Sequence, residues 1–426
     1  MKARTLLIGI LVLYILKQIA LAYFIPSWEA PDEPGHVGYI SYLYNEKKLP
    51  SSFTNFIATS IYESTFLKQH NASFNLDDRR YTSTINVGSH PPLYYLIELV
   101  PYWIATMVPT SFTLVILRLP NIAIGVMILY VIYRFSRTIL KNTNVALLVT
   151  FLISLQPMFS FITAIVNSDA VVMLCYLSVS FLGWRILYEK KSTKKRWFLF
   201  LAVAALSPLS KPHLAIVFGI VTYVVWVASR SLVKTISSVA LTALPFTLWL
   251  THNIATYGST FWGYVVMNQK PEQGNILMYP FEFIATKQPI GIWMSFWGLF
   301  GWLNVPMPKW IYILYGIGIG VGIWGYLRIK QRNIQIPSYA VCVTGLYLAS
   351  ILAYDIQYYI LSQTLAIQGR YIAVLLPILM WFVVVGMLNY SKVINKIAIV
   401  YLTGVFVVGQ LLMFITLIDA YKSYFR

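Results

Sequence analysis

Two adjacent carboxylates stand early in the chain, in the run Trp28-Glu29-Ala30-Pro31-Asp32-Glu33-Pro34-Gly35-His36-Val37-Gly38-Tyr39. A carboxylate held beside a substrate can take the proton from an attacking hydroxyl. Proline suits the first turn of a helix, so Pro34 predicts a helix from Asp32 or Glu33 to about Asn45, with His36 one turn in from Asp32. The plainer account makes Asp32 a helix cap and Glu33 a solvated partner of the helix dipole.

Five further segments carry groups of use to such chemistry. Ser89-His90-Pro91-Pro92-Leu93-Tyr94-Tyr95 is a rigid approach with His90 at its mouth, and its tyrosines suit anchors at headgroup depth. Val166-Asn167-Ser168-Asp169-Ala170 sets a single acid in a short turn between apolar runs, where an ionisable group marks function by default and Asn-Ser-Asp would also cap the next helix. Ser207-Pro208-Leu209-Ser210-Lys211-Pro212-His213 interrupts two apolar runs with Lys211, which snorkelling would also explain. Ser295-Phe296-Trp297-Gly298-Leu299-Phe300-Gly301-Trp302 mixes aromatics and glycines as a cap over a lipid-facing cavity would, or as a plain aromatic belt would. Gln368-Gly369-Arg370-Tyr371 supplies a permanent cation whose fork matches phosphate oxygens, with an ion pair to Asp355 as the structural alternative.

These residue types meet the needs of an inverting displacement at an anomeric carbon. One carboxylate takes the acceptor's proton, and a cation stabilises the departing phosphate. A phosphate that leaves readily needs no general acid, and a long apolar tail on it would explain a site in a membrane. A divalent cation could assist.

The elements that must hold these groups are membrane spans. Of 426 residues, 58% are hydrophobic and 11% charged, against about 45–50% and about 25% in soluble domains. A soluble chain is excluded. Apolar runs near the ~20 residues that cross a bilayer lie at Leu6–Ile25 and at roughly 113–133, 145–165, 169–187, 197–208, 213–229, 235–250, 310–327, 337–354, 371–389 and 397–418. The expected fold is therefore an all-α polytopic membrane protein of about eleven transmembrane helices, read as one domain over residues 1–426. The first run is read as a retained span, since no small-residue cleavage site follows it.

Residues 92–108 are short, proline-bracketed and carry Glu98, and they decide the orientation. Read as an interfacial or re-entrant helix, they leave the clusters Arg134/Arg137/Lys141, Lys190/Lys191/Lys194/Lys195/Arg196, Arg230/Lys234, Arg328/Lys330/Arg332 and Lys392/Lys396 on the cytoplasmic side with Lys2 and Arg4. Residues 26–112 and 251–309 then become exterior loops long enough to carry function. The same pattern explains the net charge of +18 without nucleic acid. Cys175 and Cys342 fall in apolar runs, the 5 histidines lack paired metal-ligand spacing, and Gly316, Gly318, Gly320 and Gly322 follow no strand, so helix packing accounts for them. The Asn71-Ala72-Ser73 sequon is too short a match to weigh.

In order and on one face, the segments resemble the glycosyltransferase C (GT-C) superfamily, polytopic enzymes that use polyprenyl-phosphate sugars at the exterior leaflet. The carrying features are Asp-Glu after span one, His-Pro-Pro-Leu-Tyr-Tyr at the end of loop one and Asn-x-Asp after span three. Pro-Asp-Glu-Pro-x-His, Asn-x-Asp-Ala, Ser-Phe-Trp-Gly-x-Phe-Gly-Trp and Gln-Gly-Arg-Tyr further resemble a prokaryotic membrane-protein family known as domain of unknown function 2142, over about residues 20–390. The resemblance implies Asp32 as general base with Glu33 its catalytic neighbour, and Asp169 as the second acid. His90 stands where the aminoarabinose transferases of the superfamily carry a phosphate-contacting lysine, so donor-phosphate binding is expected of Arg370 and Lys211 together with His90. His36, Asn167, Trp297 and Gln368 are expected to meet substrate. The partners implied are a polyprenyl-phosphate sugar donor, a glycan or lipid acceptor and membrane lipids. The superfamily is divided on metal dependence. A transporter or flippase of lipid-linked sugars is the alternative; it predicts broken helices near the midplane, whereas the polar residues here crowd one face.

Overall fold

The structure, a computed structural model, describes residues 2–50, 90–189, 193–258, 274–328 and 336–422. The sequon and the middles of both exterior loops lie outside the described residues. The helices of the candidate membrane spans are α1 (Lys2–Phe24), α5 (Thr110–Leu140), α8 (Asp169–Tyr188), α10 (Val217–Ser229), α11 (Leu232–Tyr257), α14 (Lys309–Leu327), α15 (Ser338–Ser362), α16 (Leu376–Met387) and α17 (Lys392–Tyr421). Further helices join them: α2 (Glu33–Glu46), α3 (Leu93–Ile97), α4 (Leu99–Ala105), α6 (Thr143–Ser154), α7 (Pro157–Ile162), α9 (Lys194–Leu206), α12 (Tyr279–Ala285) and α13 (Gln288–Trp297). A two-residue antiparallel pair, β1 (Leu299–Phe300) with β2 (Val305–Pro306), closes the loop after α13.

Among the described residues nine helical stretches are long and apolar enough to cross a membrane, and two runs expected to span are interrupted. Residues 145–165 divide into α6 and α7 because Pro157 has no N–H to continue the ladder and the backbone at Gln156 turns extended. Residues 197–208 end at α9, where Pro208 and Pro212 force two 3₁₀ turns, Ser207–Leu209 and Pro212–Ile216. Residues 92–108 form α3 and α4, of 5 and 7 residues, neither long enough to cross alone.

The helices face lipid with aliphatic side chains such as Leu13, Val233 and Val400, all exposed in the bare chain. Where two helices must touch, glycine replaces them: a Cβ on Gly322 of α14 would sit 2.6 Å from the Val383 backbone of α16, and one on Gly386 would strike Gly322. Small residues thus let backbones meet where water provides no drive for association.

Candidate active site

The site forms where the helix starts converge. Asp32 opens α2 in the left-handed conformation, φ 63°, and its carboxylate makes no cap bond; aspartate tolerates this region better than most residues. Freed from capping, the carboxylate turns to Arg370, whose Nη2 lies 2.9 Å from Asp32 Oδ2. Asp169, the first residue of α8, approaches the same guanidinium at 3.7 Å through Oδ2 and is bound through Oδ1 by Lys211 Nζ. The Tyr371 ring lies 4.8 Å from the Lys211 ammonium and 5.3 Å from the Arg370 guanidinium, a cation–π seat for both. Two cations and two carboxylates, from four separate stretches of chain, make one cluster.

The cluster is not saturated. Asp169 Oδ2 and Arg370 Nε and Nη1 are buried without a hydrogen-bond partner among the described residues, and so is Nε2 of His213. All three residues line one cleft with Tyr347 and Tyr371, walled by aliphatic side chains such as Val172. Unmet donors and acceptors around a cleft are what an incoming polar group would satisfy. Asp32 keeps 32% of its side chain exposed, enough to meet such a group.

Behind the cluster, a second buried network holds the turn. Glu33 is wholly buried and bound two-pronged by Arg118, at 2.8 Å to Nε and 2.7 Å to Nη2, while Oε1 also accepts Val166 N–H. Arg118 Nη1 donates to Ala22 O and Ile25 O at 2.7 and 2.6 Å, which ties the end of α1 to α5. Asn121, one turn on, donates to Asn167 O at 2.8 Å and to Ile165 O. Asn167 Oδ1 in turn accepts Asp169 N–H at 2.7 Å. The turn that presents Asp169 is therefore held through its backbone from two other helices.

Several expectations change here. Glu33 is not a free neighbour of the base; Arg118 and Val166 occupy both its oxygens. Asn167, 1% exposed, holds the turn through its side-chain oxygen. Trp297 lies fully buried, stacked 4.0 Å on Tyr315 with Phe406 at its edge, so it packs the core between α13, α14 and α17. His36 and His90 share one hydroxyl: Tyr95 Oη is 3.0 Å from His36 Nδ1 and 3.4 Å from His90 Nδ1. Burial lowers their pKa values to about 4 and about 3, for His36 against the opposing pull of Asp32. Both imidazoles are thus neutral near pH 7, and His90 brings no charge to a phosphate. Gln368 precedes the 3₁₀ turn Gly369–Leu375 and keeps Oε1 unpartnered among the described residues.

The Asp355 alternative fails on geometry. Its carboxylate is fully buried and accepts Tyr279 Oη at 2.8 Å and the N–H groups of Ala366 and Ile367 at 2.6 and 2.8 Å. It pins the strap ahead of Arg370 and leaves the guanidinium to Asp32 and Asp169. Gly369 is required in that strap, because a Cβ there would collide with Phe296 N and Ile292 O of α13.

Arg118 and Asn121 had escaped notice in the sequence. An arginine inside an apolar span was itself the signal. No group of three His, Cys, Asp or Glu among the described residues is placed to hold a metal ion.

Residues 15–380 match the family described as "Predicted membrane protein (DUF2142)". The chain belongs to the DUF2142 family. No curated protein matches the sequence. Among solved structures, the chain resembles ArnT from Cupriavidus metallidurans bound to undecaprenyl phosphate, with TM-score 0.51 and 14% identity over 89% of this chain and 60% of that one. It also resembles the Archaeoglobus fulgidus oligosaccharyltransferase in complex with Zn and sulfate, with TM-score 0.54 and 11% identity over 96% of this chain and 53% of that one. The chain thus spans a little over half the length of these neighbours and shares the polytopic GT-C membrane fold with them.

Proposed function

We propose that this DUF2142 protein is a membrane glycosyltransferase that moves a sugar from a polyprenyl-phosphate donor to an acceptor hydroxyl at the extracytoplasmic leaflet, with inversion. The observation that carries the reading is Arg370. This guanidinium, 5% exposed, meets Asp32 through Nη2 and Asp169 through Nε at ion-pair distance, and among the described residues Nε and Nη1 still make no hydrogen bond. Burying an arginine with open donors is costly unless an anion completes it. A phosphate oxygen suits those donors, and Lys211 adds a second positive charge.

In this reading the donor phosphate lies on Arg370 and Lys211, with Asp169 fixing the separation of the two cations. Asp32 faces the acceptor and takes its hydroxyl proton as the acceptor oxygen bonds to the anomeric carbon. The carbon–oxygen bond to phosphate breaks on the opposite face, and its electron pair leaves on the lipid phosphate. The acceptor is a glycan or lipid of the cell envelope. The basic clusters on the other loops support the exterior placement.

The test is turnover by the purified protein. Incubated with undecaprenyl-phosphate-linked hexoses and pentoses and a cell-envelope glycolipid extract, it should release undecaprenyl phosphate and form a glycoside. Carriage of the lipid across vesicles without release would favour a transporter instead.

A further inference from the structure

A half-buried cation inside the first helix takes no part in this mechanism. Lys17 lies inside α1, about 10 Å before its C-terminal end at the helical rise per residue. No carboxylate among the described residues pairs with it. Its ammonium instead donates to Ser160 Oγ at 2.6 Å, to Gln410 Oε1 at 3.2 Å and to Ser154 O. Those three acceptors have a common position in the fold. Ser154 ends α6, Ser160 lies in α7, and Gln410 comes from α17.

The break between α6 and α7 explains why a cation belongs there. With the chain extended at Gln156, the Ser154 carbonyl has lost its place in a continuous ladder, and the C-terminal end of α6 carries partial negative charge. Lys17 takes that carbonyl and bridges it to the first turns of α7. The neighbouring residues on the same face of α1 continue the contact: Tyr14 Oη donates to Thr163 Oγ1 at 2.7 Å, and Gln18 Nε2 donates to the same oxygen at 2.6 Å. Tyr14 passes where α5 has Gly125, and any Cβ there would strike its hydroxyl. From Thr163 the chain runs through the turn held by Asn121 and Glu33 to Asp169.

We infer that Lys17, with Tyr14 and Gln18, is a positioning residue for Asp169: a latch that keeps the second apolar run broken so that the turn after α7 delivers this carboxylate to Arg370 and Lys211. The consequence for donor binding rests on the function proposed above, whereas the latch itself is a claim about the turn. An intramembrane charge satisfied by neutral acceptors at a helix break has this use without any ligand of its own.

Two readouts test it. In a Cys342→Ser background, Ser168→Cys reports the turn, and the native Cys175 in α8 reports the bundle. Lys17→Met should raise maleimide labelling of Ser168→Cys about tenfold and leave Cys175 as slow as before. Gln410→Leu, a milder cut in the same latch, should move labelling the same way if Lys17→Met does not accumulate. Unchanged labelling at Ser168→Cys in the folded variants would overturn the latch, as would an equal rise at Cys175, which would make Lys17 a general stabiliser. The second readout is affinity for undecaprenyl phosphate. Lys17→Met should weaken it about tenfold, and the pair Lys17→Met with Asp169→Asn should be no weaker than Asp169→Asn alone, because both act through one carboxylate. Additive losses would overturn positioning through Asp169. Loosened labelling in a protein whose parent does not bind undecaprenyl phosphate would keep the latch and overturn the proposed donor.

Discussion

Asp32 and Glu33 are neighbours in sequence and each meets an arginine, yet the two pairs differ in what they leave over. Glu33 with Arg118 is closed: both partners are buried, the contact is two-pronged, and backbone carbonyls from Ala22 and Ile25 together with the Val166 N–H fill the rest. Asp32 with Arg370 is open: one nitrogen makes the contact, a third of the aspartate side chain is exposed, and two guanidinium nitrogens make no hydrogen bond among the described residues. A saturated pair can only hold. An unsaturated one can exchange its partner for a ligand, so the first belongs to the scaffold and, under the proposed function, the second to the chemistry.

The largest expected effect falls on the closed pair. Arg118→Met leaves the Glu33 charge buried and unpaired, at a cost of about 3–5 kcal/mol. Thermal melts in detergent should show the variant unfolded or melting far below the parent, whereas Asp32→Asn should melt close to it. Equal losses in the two variants would erase the distinction between the pairs.

Next comes the open pair. Arg370→Ala should weaken undecaprenyl-phosphate binding by about 1.5–3 kcal/mol, the scale of hydrogen bonds to charged groups. Arg370→Lys should recover only part of that, since a lysine lacks the planar fork. Asp355→Asn sharpens the contrast: it loosens the strap that Tyr279, Ala366 and Ile367 share, so it should lower the melting temperature more than donor affinity at saturating lipid.

A further effect is on pH dependence. Burial holds His36 and His90 at about 4 and about 3, below the ordinary value near 6.5. The unfolded chain therefore gains these protons first as pH falls. Their contribution to stability is fully present above about pH 6.5 and is lost as the pH drops toward the folded values. Melting temperature should slope downward from pH 6.5 to 4, and His36→Phe should flatten part of that slope. A turnover profile with a histidine step between pH 6 and 7 would contradict the neutral assignment.

Much of this was legible in residue types and order. The apolar runs foretold most of the spans, and Asp32, Asp169, Lys211 and Arg370 stood out as ionisable groups next to them. What could not be read was saturation. Nothing local distinguishes Asp32 from Glu33; only Arg118, from a helix far along the chain, withdraws one of the two carboxylates from solvent. The break at Pro157 was equally hidden in hydropathy, because the apolar run continues through a residue that stops the hydrogen-bond ladder. Trp297 misled for the same reason, since an aromatic-rich segment looks alike whether it faces a cleft or fills the core against Tyr315 and Phe406.

The most direct test compares single-turnover rates of Asp32→Asn and Glu33→Gln at saturating undecaprenyl-phosphate sugar, with donor affinity and melting temperature measured on the same preparations. Asp32→Asn should keep the fold and bind the donor while its rate falls about 10²–10⁴-fold, the usual share of a general base. Glu33→Gln should lose stability and retain turnover in proportion to the folded fraction. Near-normal turnover in Asp32→Asn, with loss of rate in folded Glu33→Gln, would contradict the account.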